Sequence, residues 1–98
     1  MAIQNFKTKG TEDINYNRIT KEALRTLPKD LHHKARIKLA RLGAAISMQD
    51  LQEIRGNRFE KLAGDRKGQY AISINDQWRI CFNWNEGHAY NVEITDYH

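Results

Sequence analysis

The sequence predicts an α+β fold: N-terminal helices packed on one face of a small, mostly antiparallel twisted sheet. Three observations carry that expectation. Between Pro28 and Ala45 the apolar residues recur at three- and four-residue steps, the repeat of a helix with one buried stripe. From Tyr70 to Ile94 apolar and polar residues alternate in three separate runs, the repeat of strands. Short turn segments, Asn75-Asp76 and Asn85-Glu86-Gly87, divide those runs. Adjacent strands with short connections form an antiparallel meander. Its apolar face requires a cover, which the preceding helices supply.

Each element has its own local reason. Ala2 to Phe6, with Ile3 and Phe6 apolar, is expected to be a short strand, and Lys7 to Gly10 a turn. Thr11 is expected to cap a short helix running to about Asn15. Thr20 stands as N-cap before Glu22, Leu24 and Leu27. Pro28 suits a first helical turn, where its missing N–H costs nothing, and Asp30 complements the helix dipole. Leu31, Ala35, Leu39, Leu42 and Ile46 are the expected buried stripe of the long helix. Lys34, Lys38 and Arg41 form a basic row beside it, a solvated face or an RNA-backbone contact; Ile37 lies off the stripe, where it could meet a partner protein. Ser47 with Asp50 begins another helical turn. A short strand is expected over Arg58 to Leu62. In the meander, Tyr70, Ile72 and Ile74, then Trp78, Ile80, Phe82 and Trp84, then Tyr90, Val92 and Ile94 are the core-facing sets. Arg79 therefore faces the open side of the sheet, because successive strand side chains point to opposite faces.

Composition narrows the function classes. Ninety-eight residues make one expected domain, 1–98, and 40% hydrophobic content is enough for a small interior. The formal charge of +4 and pI near 9.4 favour an anionic partner such as nucleic acid. Cys81, a lone cysteine within an apolar strand, is expected to be a small buried side chain in a reducing compartment. Neither a signal-peptide pattern nor an apolar run of about 20 residues is present, so the expectation is a soluble cytoplasmic protein with no membrane partner. His32-His33 lack zinc-ligand spacing, and Gly64 and Gly68 lack the Lys-Ser/Thr ending of a phosphate loop. No metal or other cofactor is expected.

The specific motifs lie in residues 56–98. Gly56-Asn57-Arg58, Gly64-Asp65-Arg66-Lys67-Gly68-Gln69, Asn75-Asp76-Gln77-Trp78-Arg79-Ile80-Cys81-Phe82 and Val92-Glu93-Ile94-Thr95-Asp96-Tyr97-His98 resemble, in order, the HigB-type toxins. These belong to the RelE/ParE superfamily of bacterial toxin–antitoxin systems, the plasmid-maintenance killer proteins. The resemblance implies a RelE/ParE-like fold and a ribosome-dependent endoribonuclease that cuts mRNA and inhibits translation. It further implies a cognate HigA-type helix-turn-helix antitoxin, with operator DNA reached only indirectly through that antitoxin. The alternative is a non-nucleolytic ParE-like toxin that binds and inhibits a protein such as DNA gyrase, since fold alone does not decide activity.

Residue chemistry fits the cleavage reading. Metal-free RNA cleavage by 2′-OH attack needs a base at the hydroxyl, an acid at the leaving oxygen and cations for the charge that builds on phosphorus. As a histidine, whose reference pKa lies near neutrality, His98 would suit either proton-transfer role. Asp96 would orient His98 or transfer a proton itself, or else simply pair with an arginine. Tyr97 would hydrogen-bond the phosphate or stack on a base, or else be half-buried. Arg79, an always-charged fork of donors, is the candidate for the scissile phosphate, with a structural salt bridge as the bland alternative. Arg58, Lys61, Arg66 and Lys67 are expected to hold RNA or ribosomal backbone, or else to be solvated charges. Two departures stand out: family members often carry His at the position of Glu60 and Lys at that of Ala63. Glu60 could serve as the base if its pKa is suitably placed. Ala63 contributes no charge, and Lys61 is no simple replacement.

Overall fold

The computed structural model describes residues 2–54 and 56–96; Met1, Arg55, Tyr97 and His98 lie outside the described residues. Among the described residues, four α-helices precede a four-stranded antiparallel sheet, the α+β arrangement expected. The helices are α1 (Lys9–Asn15), α2 (Lys21–Thr26), α3 (His32–Ala44) and α4 (Met48–Gln52). The strands β1 (Glu60–Lys61), β2 (Gln69–Ser73), β3 (Arg79–Asn85) and β4 (His88–Thr95) lie side by side in chain order.

The helix boundaries follow their caps, with two corrections. Thr20 accepts from the Ala23 amide, and Ser47 and Asp50 form a full capping box, both as expected. The first helix, however, starts at Lys9 with Thr8 as its cap, and Thr11 lies inside it. Thr11 is buried and its Oγ1 accepts from the Ile94 amide, so it ties helix to sheet. After Pro28 a single 3₁₀ turn, Lys29–Leu31, precedes α3. The second correction concerns Ile46. The helix ends at Ala44, Ala45 is extended, and Ile46 is 82% exposed instead of completing the buried stripe.

One core forms between the helices and the sheet. Ile14, Leu27, Leu39, Leu42 and Leu51 pack with Ile72, Ile74, Ile80, Phe82, Val92 and Ile94. Phe82 is fully buried, which stabilises the fold by about 1.5–3 kcal/mol relative to leaving it exposed. Tyr70 and Trp84 flank it at ring-centroid distances of 6.3 Å each. Asn57, also buried, staples the helices to the sheet: its Nδ2 donates to the Leu51 carbonyl, and its own carbonyl accepts from the Ser73 amide. That staple explains part of the Gly56-Asn57-Arg58 motif.

Residues 2–7 run parallel to β4 through isolated bridges, Ile3 with Ala89 and Phe6 with Val92. They cover the sheet edge, which would otherwise present unpaired backbone groups. A bulge changes the face of one aromatic residue. Asn91 has φ +54°, and Tyr90 pairs with Asn83, whereas Ala89 and Val92 are both buried. The extra residue turns Tyr90 away from the expected core set and onto the open face. Asparagine tolerates this left-handed backbone better than other non-glycine residues.

Candidate functional site

The face of the sheet opposite the helices is charged and polar. Cross-strand partners share a face, so the strand register orders its side chains into rows. One row is Ser73, Arg79 and Thr95; the next is Glu60, Ala71, Cys81 and Glu93; the third is Gln69, Asn83 and Tyr90. Two residues along a strand separate the rows by about 7 Å, so Arg79 and Asn83 mark the ends of a surface about 14 Å long. Leu62, Ala71 and Cys81 make its small apolar floor. Burial pushes the Cys81 thiol up to about 11, with the charges of Arg66, Glu93, Glu60 and Arg79 all acting on it. Burial is the largest of these effects, and the thiol is held protonated.

Arg79 takes the side predicted for it but is only 8% exposed. Its Nη1 donates to the Asn75 carbonyl, to the Trp78 carbonyl at 3.2 Å and to Ser73 Oγ at 3.4 Å. The guanidinium therefore clasps the β2–β3 hairpin and makes no ion pair among the described residues, so the cross-sheet salt bridge is not what holds it. Its Nε is the one buried side-chain nitrogen or oxygen without a hydrogen-bond partner among the described residues. A buried donor left over is costly, and here it belongs to a cation facing the open surface. Asp96 follows Thr95, the strand partner of Arg79, and its Oδ2 accepts from Gln77 Nε2 at 2.9 Å.

At the other end, Lys7, Asp65, Arg66, Lys67, Gln69 and Asn83 line an open cleft of about 440 Å³. The Gly64–Arg66 3₁₀ turn delivers Arg66, whose Nη1 donates to Gln69 Oε1 and Glu93 Oε1, each at 3.1 Å. Lys7 reaches Glu93 at 3.7 Å. Glu60 stands on this face at the β1 edge, in the Cys81 row.

Lys61 and Arg58 are not gathered here. Lys61 pairs with Tyr70, a residue packed against the core, and so points to the helix side of the sheet at its edge. Arg58 sits near the β2–β3 turn, where its Nη2 pairs with Asp76 Oδ1 at 2.6 Å. Tyr97 and His98 lie outside the described residues.

Sequence reasoning missed Lys7, Gln69, Asn83 and Glu93 as parts of the open face, and Gln77 as the partner of Asp96. Alternation along β2 and β3 could have found Gln69 and Asn83, because both share the parity of Arg79. Nothing local marks Lys7, since the parallel run of residues 2–7 beside β4 carries it there.

Helices on one face of a short antiparallel sheet, with charge gathered on the other, describe a RelE-like toxin domain. The chain belongs to the HigB-like toxin family, described as the RelE-like toxin of the type II toxin–antitoxin system HigB, whose model matches residues 4–98. It is 40% identical over 70 residues to Toxin HigB-1 of Vibrio cholerae serotype O1, covering 71% of this chain and 74% of that protein. It is 39% identical over 41 residues to Endoribonuclease HigB of Proteus vulgaris, covering 42% of this chain and 45% of that one. The protein is thus a HigB toxin of a type II system, and membership implies an antitoxin partner. Among the described residues, no helix is long and apolar enough to cross a membrane.

Proposed function

We propose that this single-domain toxin is a ribosome-dependent mRNA endoribonuclease acting in the cytoplasm, held in check by a HigA-type antitoxin. The pairing of Arg79 with Thr95 carries the reading: β4 leaves the sheet beside a buried guanidinium that keeps one N–H without an acceptor among the described residues. Asp96 follows directly, and residues 97 and 98 are joined to it in sequence. Arg79 stabilises the charge building on the scissile phosphate. His98 and Asp96, with Glu60 where the family often has His, divide the proton transfers of 2′-OH attack. Tyr97 contacts the phosphate or a base. Arg66 and Lys67, with Lys7, hold the RNA strand at the far end of the face, and Arg58 and Lys61 contribute at its margins. The activity named for the Proteus vulgaris relative supports this reading.

Mapping mRNA 5′ ends after induction tests it. Cuts inside translated frames are expected, and they should vanish when translation is blocked or when His98→Ala is expressed instead. DNA breaks without RNA cuts would instead indicate inhibition of a gyrase-like target and overturn the proposal.

A further inference from the structure

A second cationic cleft lies between α3 and the β2–β3 hairpin and meets the open face at Ser73, one of its lining residues. It has a volume of about 360 Å³ and is lined by Lys34, Lys38 and Arg58, with Asn75 and Asp76 on the hairpin side. Lys38 is the unusual member. It is only 7% exposed, and its Nζ donates to Asn57 Oδ1 at 2.9 Å and to the Gly56 carbonyl at 3.4 Å, both neutral acceptors. Among the described residues no carboxylate pairs with Lys34, Lys38 or Arg41. Burial depresses the Lys38 pKa, and the charges of Arg41 and Lys34 depress it further. Buried charges are ordinarily paired, so a cation packed among like charges calls for an anion. Asp76, the nearby acid, is engaged at the rim with Arg58 and is 89% exposed.

We propose that this cleft is a phosphate site for RNA backbone at the margin of the cleaving face, with the Lys38 ammonium at its floor and Lys34 and Arg58 at its walls. The inference rests on the RNA-directed reading above and adds a place where the strand, or the ribosomal RNA around it, is gripped. A phosphodiester oxygen accepts from the Lys38 N–H left over by Asn57 and Gly56. Arg58 then exchanges Asp76 for the phosphate, which its planar fork can hold through two N–H donors. Lys34, on the same helix face one turn earlier, supplies the second positive charge.

The test uses the full chain and a mixed-sequence 2′-O-methyl oligoribonucleotide, which lacks the attacking hydroxyl. Each phosphate contact contributes about −0.7 to the slope of log affinity against log salt for a single strand. Lys34→Gln and Arg58→Gln are each expected to weaken binding and flatten that slope by about 0.7. Asp76→Asn, which removes the competing carboxylate, is expected to tighten it. Inorganic phosphate, but not chloride, should shift the side-chain NMR signals of Lys34 and Lys38. Lys38→Met is scored only after its fold is verified by circular dichroism, because Lys38 also holds Asn57. Unchanged affinity and slope in both Gln variants would overturn the site. So would a phosphate-induced shift without any effect on the oligonucleotide, or a loss confined to antitoxin binding. The two readings fail separately. A wild-type chain that binds the oligonucleotide through Lys34 yet never cuts mRNA on ribosomes defeats the nuclease and leaves this site standing.

Discussion

Arg79→Ala should destabilise the protein as well as silence it, and the structure allows both effects to be sized. The side chain makes its hydrogen bonds through one nitrogen, which donates to the carbonyls of Asn75 and Trp78 and to Ser73 Oγ. A hydrogen bond to a charged group is worth about 1.5–3 kcal/mol net. Counting three full bonds would overstate the loss, because Nη1 has two hydrogens to share among three acceptors and the acceptors keep other donors. The Trp78 carbonyl still accepts from the Ile74 and Asn75 amides, and the Asn75 carbonyl still accepts from Ser73 Oγ at 2.7 Å. None is left orphaned, so the cost falls near the lower end, about 2 kcal/mol including the buried stem. In a domain of this size that lowers Tm by about 8–16 °C. Arg79→Lys keeps a charge and part of the clasp, and should lose about half as much. Cleavage should fall by about 10²–10³-fold in the alanine variant through loss of phosphate stabilisation. Thermal melts by circular dichroism, with hydrogen exchange at the Ile74 amide, read the clasp; cleavage on ribosomes reads the chemistry. An alanine variant that melts within about 2 °C of wild type would refute the clasp. Full cleavage by the same variant would refute the assignment to the scissile phosphate.

Two further outcomes concern the helical half. Asp13 is buried, and hydrogen bonds from Lys9 and Thr20, with Arg18 beside them, hold its carboxyl down to about 2 from an ordinary 3.8. A depressed carboxylate contributes stability that is fully present above its unfolded value and lost as pH falls through its folded one. The Tm advantage of wild type over Asp13→Asn should therefore be constant above about pH 5 and shrink between about pH 4 and pH 2; an advantage that persists at the acid end would contradict the network. Gly10 lies inside α1 where a Cβ would overlap Thr26 Oγ1 and lie 2.5 Å from the Glu22 carbonyl. Gly10→Ala should cost about 1–3 kcal/mol through overpacking, despite alanine's higher helix propensity. Urea denaturation checks this, and a stabilised variant would show that α1 and α2 do not meet so closely.

How much was legible beforehand depends on the range of the cause. Thr20, Ser47 and Asp50 cap their helices through contacts within three residues, and the alternation of Ile80 and Phe82 against Arg79 and Cys81 fixes which side of the sheet each takes. Helical period, strand parity, caps and the order of the motifs are local, so the fold class, the side of Arg79 and the buried thiol can be read along the chain. The remaining features come from packing between distant segments. The Asn91 bulge turned Tyr90 to the open face, and the parallel run of residues 2–7 brought Lys7 to Glu93. The Asn57 staple drew Lys38 out of the solvated helix face and into a cleft with Arg58. Each of these depends on contacts between residues far apart in the chain, where no local period or propensity carries a signal.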